Sequence, residues 1–107
     1  MKQRPEPLQD HEASASLKAL ARAFAGLETA DEVARFLDDL CTPAELEALV
    51  DRWRVVPLLQ QGVPYREIHE RTGVSVTTVG RVARTLDRGA GGYAIAARRV
   101  AGINESH

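Results

Sequence analysis

Arg81, Arg84 and Arg88 stand three and four residues apart, and Thr77 lies four residues before the first of them, so a helix through this stretch lines all four on one side. A guanidinium group donates in a planar fork that matches a phosphate or the edge of guanine, and a hydroxyl serves either a base edge or a phosphate oxygen. Such a row has the chemistry to meet double-stranded DNA, with Thr77, Thr78, Arg81 and Arg84 reaching base edges. Arg66, His69, Arg71 and Arg88 are placed to hold phosphates and set the docking angle. Val76 and Gly80 fall in the same stretch and complete the candidate DNA-binding set. Arginines on a helix also serve simply to keep one face solvated, so the neighbouring elements must decide between the two roles.

The segment from about residue 64 to 88 positions that row. Tyr65 to Arg71 reads as a short helix with Ile68 pointing inward, and Gly73 tolerates the left-handed backbone that ends it. Ser75 is a good cap for a following helix, Val76 to about Arg88, in which Val79, Val82, Ala83 and Leu86 recur at i, i+3, i+4 and i+7. Thr77, Gly80, Arg81, Arg84 and Arg88 fall on the opposite side. This is the layout of a helix-turn-helix, whose short turn fixes two helices at a steep angle and leaves one face of the second free to enter a major groove.

The rest of the chain also reads as helix. Residues 1 to 13 lack apolar periodicity and read as a flexible tail; residues 14 to 104 read as a single all-helical domain, and 105 to 107 as a second tail. Leu17, Leu20, Ala21 and Phe24 mark a first helix, stopped by Gly26. Thr29 with Glu32 three residues on has the form of a capping box for a second helix, with Val33, Phe36, Leu37 and Leu40 on its apolar face. Thr42, Pro43 and Glu45 start a third, in which Leu46, Leu49, Val50, Trp53, Val56 and Leu59 face one way. Pro57 lies inside it and either kinks or breaks it. Gly89 to Gly92 reads as a flexible joint before a last helix, Tyr93 to Ile103.

Composition narrows the function classes. A chain of 107 residues with 44% apolar and 27% charged residues suits one soluble domain, and no apolar run approaches the roughly 20 residues of a membrane span. The cytoplasm is the expected location, since Cys41 has no partner for a disulfide and no secretion signal opens the sequence. The net charge of -1 hides a split: residues 1 to 51 carry five basic residues against eleven acids, whereas residues 52 to 107 carry nine arginines against four acids. A basic half of this kind is expected to meet a polyanion through a focused patch. His11, His69, His107 and Cys41 lack metal-ligand spacing, and no nucleophile–base pair or phosphate-binding glycine loop occurs. Neither an enzyme nor a metal protein is expected.

Cys41-Thr-Pro-Ala-Glu-Leu-Glu-Ala-Leu49, Arg52 to Val56, Gly62 and the run from Arg66 to Leu86 resemble the Trp repressor superfamily. The Gly-Gly-Tyr93 that follows resembles its YerC/YecD branch, and the likeness covers about residues 29 to 95. The resemblance implies an all-α fold, a Trp-repressor-like helical domain with a helix-turn-helix, assembled as an intertwined homodimer. It implies a sequence-specific DNA-binding transcriptional regulator, a repressor, reading a roughly palindromic site. It also places Thr42, Arg52, Thr78, Arg81 and Thr85 where the repressor has its effector pocket. Val82 stands where the repressor has a glycine beside the bound indole and Asp39 where it has a leucine, so room and polarity are both wrong for tryptophan. Forcing an isopropyl group into a close-packed slot costs on the order of 1–3 kcal/mol. No cofactor is expected. Two other readings stay open: a protein–protein adaptor with a head like the promoter-reading region 4 of a sigma factor, and an amino-acid-responsive repressor binding tryptophan or an analogue.

Overall fold

A computed structural model describes residues 9–105, with side chains described as far as residue 102. Six α-helices follow one another and no strand occurs among the described residues: α1 Asp10–Ala25, α2 Ala30–Leu40, α3 Pro43–Gln60, α4 Tyr65–Thr72, α5 Val76–Arg88 and α6 Gly92–Glu105. Two compact units make up the chain, one ending at Cys41 and the other beginning at Thr42.

The first unit holds α1 and α2. Helix α1 starts four residues inside the stretch expected to be a tail: Gln9 stands at the N-cap position without a side-chain cap, the Ala13 N–H donates to the Gln9 carbonyl at 2.8 Å, and Asp10 and Glu12 complement the helix dipole. Residues 1–8 and 106–107 lie outside the described residues, and Glu105, expected in the second tail, is the last residue of α6. The Thr29 hydroxyl accepts the Glu32 N–H at 3.1 Å, as the spacing predicts. The Glu32 carboxylate reaches one residue further back than a capping box requires, to the Glu28 N–H at 2.8 Å. Phe24 and Phe36 meet edge to face with centroids 5.0 Å apart. Neither helix buries a residue fully.

The second unit holds the core. Thr42 and Glu45 form both halves of a capping box, at 3.2 Å and 2.8 Å, with Pro43 at the first helical position. Hydrogen bonds donated to its carboxylate, first by the Thr42 N–H and then by the Thr42 hydroxyl, hold the Glu45 carboxyl below its ordinary pKa. Helix α3 runs on through Pro57, so the proline does not break it. Val55 and Val56 of α3, Ile68 of α4, Val74 of the turn, and Val79 and Val82 of α5 make up the buried core. Leu58, Leu59, Val63, Leu86, Tyr93 and Ala97 pack around it. The apolar face expected for α3 divides: Val56 and Leu59 join this core, while Leu49, Val50 and Trp53 stay exposed. Beyond α5, Gly91 takes a positive φ of 90° and α6 begins at Gly92, where a flexible joint was expected to extend.

Candidate nucleic-acid interface

Local chemistry sets the turn between α4 and α5 before any packing does. Gly73 adopts φ 78°, a region that costs a side-chain-bearing residue, and its N–H closes α4 on the His69 carbonyl at 2.8 Å. The Thr72 hydroxyl donates to the Ile68 carbonyl at 2.7 Å and accepts the Val74 N–H at 3.1 Å. His69 Nδ1 lies 2.8 Å from the Val74 carbonyl, and an Arg54 guanidinium nitrogen lies 3.4 Å from that of Thr72. Ser75 then starts α5, accepting the Thr78 N–H at 3.1 Å.

Packing completes the positioning. Ile68, Val74, Val79 and Val82 are each at most 4% exposed, so one side of α5 is sealed against α3 and α4. That leaves its other side in solvent. Thr77, Arg81, Arg84 and Arg88 are all exposed, as is Val76 at the helix start. Arg66, Arg81 and Arg84 form no ion pair among the described residues. Arg71 pairs with Glu67 at 3.3 Å and Arg88 with its neighbour Asp87 at 3.4 Å, both in solvent, where such pairs are worth little and exchange readily for phosphate. Asp87 is the single acid on α5 against three arginines.

Three members of the expected set are engaged more closely than spacing alone foretells. Thr78 is half-buried, and its hydroxyl accepts from Ser75 Oγ at 3.0 Å. Gly80 is half-buried because the Tyr65 ring lies over it: a Cβ there would stand 3.9 Å from Tyr65 Cε2. His69 has its ring turned onto the turn. Tyr65, Ser75 and Arg54 lie outside the expected DNA-binding set yet shape the surface. Tyr65 lines a cleft with Gly80, Ala83, Arg84, Asp87 and Arg88. A glycine in a recognition helix is the signal that could have found it, since a missing side chain invites a neighbour's ring. No spacing rule links Arg54 to a carbonyl 18 residues away.

The residues expected to form an effector pocket lie on α3 and α5 and at the cap of α3. Thr42 is committed to the α3 cap and Arg52 is half-buried on α3. Thr85 lines a cavity of roughly 350 Å³ whose other walls are Leu86, Ala90, Gly91, Gly92, Tyr93 and Ala94. Val82 is 1% exposed, its side chain already part of the core. Among the described residues no three His, Cys, Asp or Glu side chains cluster as metal ligands, and no helix is long and apolar enough to cross a membrane.

Comparison with known proteins agrees with this geometry. The family profile described as Trp repressor protein matches residues 15–101. YerC of Bacillus subtilis (strain 168), an uncharacterized protein, is 38% identical over 84 residues, which is 78% of this chain and 81% of YerC. A candidate Trp repressor from Staphylococcus aureus, solved by crystallography, superposes with a TM-score of 0.76 at 34% identity, covering 88% of this chain and 95% of that one. A TrpR like protein from Eubacterium eligens ATCC 27750 gives 0.77 at 31% identity, covering 87% and 96%. The likeness spans nearly all the described helices, so the all-α architecture is that of Trp-repressor-like proteins.

Proposed function

The chain belongs to the Trp repressor family, whose members are regulatory DNA-binding proteins and not enzymes, and from that premise we propose that it is a sequence-specific transcriptional regulator, a repressor acting as a homodimer. The observation that carries this reading is the division of α5 into a sealed valine side and a solvent side bearing Thr77, Arg81, Arg84 and Arg88. Inserted in a major groove, that side offers Thr77, Arg81 and Arg84 to base edges, with Thr78 beside them at the helix start. Arg66, Arg71 and Arg88 flank it as phosphate contacts, and Tyr65 adds a hydroxyl beside Gly80. Val76 leads the helix in, and the missing side chain of Gly80 leaves room for the Tyr65 ring on that face.

Two copies related by a two-fold axis present two such helices to half-sites about one helical turn apart. The exposed Leu49, Val50 and Trp53 of α3 supply apolar surface for that association. Tryptophan has no place in this reading, because Val82, which stands where the repressor has a glycine beside the bound indole, fills that spot with packed side-chain volume. A cytoplasmic location goes with this reading, since a regulator of this kind must reach the chromosome. Selection of bound duplexes from genomic fragments tests the proposal: a recovered palindromic motif, bound with a steep inverse salt dependence, is expected. Failure to shift any duplex at low salt, alongside a stable complex with another protein, overturns it in favour of an adaptor.

A further inference from the structure

His69 stands where a phosphate contact was expected, and it is exposed, but its Nδ1 is engaged on the turn. A carbonyl oxygen only accepts, so the 2.8 Å approach of Nδ1 to the Val74 carbonyl requires the hydrogen on Nδ1, which in the neutral ring leaves Nε2 as an acceptor. The backbone carbonyl of the same residue receives the Gly73 N–H. His69 thus holds the turn at both of its ends. Thr72 serves the Val74 N–H and Arg54 the Thr72 carbonyl, so each polar backbone group from Thr72 carbonyl to Val74 carbonyl that bears on the bend has its partner named except the Gly73 carbonyl.

We propose that His69, as its Nδ1–H tautomer, is a positioning residue that clamps the helix-turn-helix and pre-sets the tilt of α5, and is not itself a contact to DNA. The proposal rests on the DNA-binding reading only for its consequence, since the clamp exists in the free protein. Losing the clamp lowers the fraction of molecules with the turn in its docking geometry, and apparent affinity falls by that fraction.

The two polar isosteres of histidine separate the roles. The amide nitrogen of asparagine falls near Nδ1, and that of glutamine near Nε2. His69→Asn is therefore expected to keep binding to a mixed-sequence DNA duplex within about twofold, whereas His69→Ala and His69→Gln weaken it by more than twofold and up to about fivefold, the ceiling set by one net hydrogen bond. The salt dependence should stay unchanged in all three. In the free full-length chain, imidazole nitrogen and carbon shifts should report the Nδ1–H tautomer. The Gly73 and Val74 amides should exchange faster in the alanine and glutamine variants but not in the asparagine one.

An Nε2–H tautomer overturns the proposal, as does a glutamine variant that binds like the parent while the asparagine variant weakens with a salt slope flatter by about one. If the parent chain binds no duplex, the DNA-binding reading falls, and the tautomer and exchange data alone decide whether the clamp stands.

Discussion

Single side chains on this surface divide by what they touch. Arg84 is exposed, lacks an ion pair among the described residues and lies beside Tyr65 and Gly80, which suits the base-reading role proposed for it. Arg66 is exposed on the preceding helix and forms no ion pair among the described residues. Arg84→Ala should cost about 1–3 kcal/mol against the selected site and relax the choice of base at one position. Arg66→Ala should weaken all sequences alike and lower the salt slope by about one, both readable by titration against labelled duplexes. Elsewhere, Glu45 gives the fold a dependence on pH. Its carboxyl is held below its ordinary value by the Thr42 N–H and then the Thr42 hydroxyl, so its folded pKa lies below its unfolded one. The stabilisation is complete above the unfolded value and disappears as pH falls through the folded one. Thermal melts of the parent between about pH 7 and pH 3 should therefore lose a contribution that Glu45→Gln lacks at every pH.

At the scale of elements, α5 is set by its two ends and by one missing side chain. Ser75→Ala removes the N-cap and should cost about 1 kcal/mol in urea unfolding. Gly80→Ala should instead stabilise the fold by up to about 1 kcal/mol, because alanine favours helix and its Cβ meets the Tyr65 ring at an ordinary 3.9 Å. Gly89→Ala should destabilise by on the order of 1–3 kcal/mol, since its Cβ would lie 2.5 Å from the Thr85 carbonyl oxygen, whereas Gly92→Ala meets nothing within 4 Å. Much of this was legible in the sequence. Thr42-Pro43-Glu45 announces the start of α3, and the 3.6-residue period of Val79, Val82 and Leu86 finds the buried side of α5. Two features were not. Acids in the first turn of α1 start a helix whose residues are nearly all exposed, so apolar periodicity misses its opening. In α3, apolar residues occur on almost every side, and periodicity cannot say that Val55 and Val56 face the chain's own core while Leu49, Val50 and Trp53 do not. The Arg54 bond to the turn spans 18 residues and no local pattern encodes it, while the His69 bond to Val74, five residues on, is local but follows no capping or periodicity rule.

For the whole molecule, the proposed two-fold assembly and the proposed groove contact make separate demands. Helices α1 and α2 bury nothing fully, and the single tryptophan of the chain, Trp53, is 37% exposed. Sedimentation should find a dimer at micromolar concentration, and dilution should shift Trp53 emission to the red as the subunits part. An unchanged spectrum with a monomeric mass contradicts the assembly without touching the groove contact. The groove contact is tested most directly by following backbone amide resonances while a duplex carrying the selected site is added. Perturbations concentrated at Thr77, Gly80, Arg81 and Arg84, with smaller ones at Arg66 and Arg71, are the predicted result. Saturable binding that leaves the amides of α5 unmoved contradicts it.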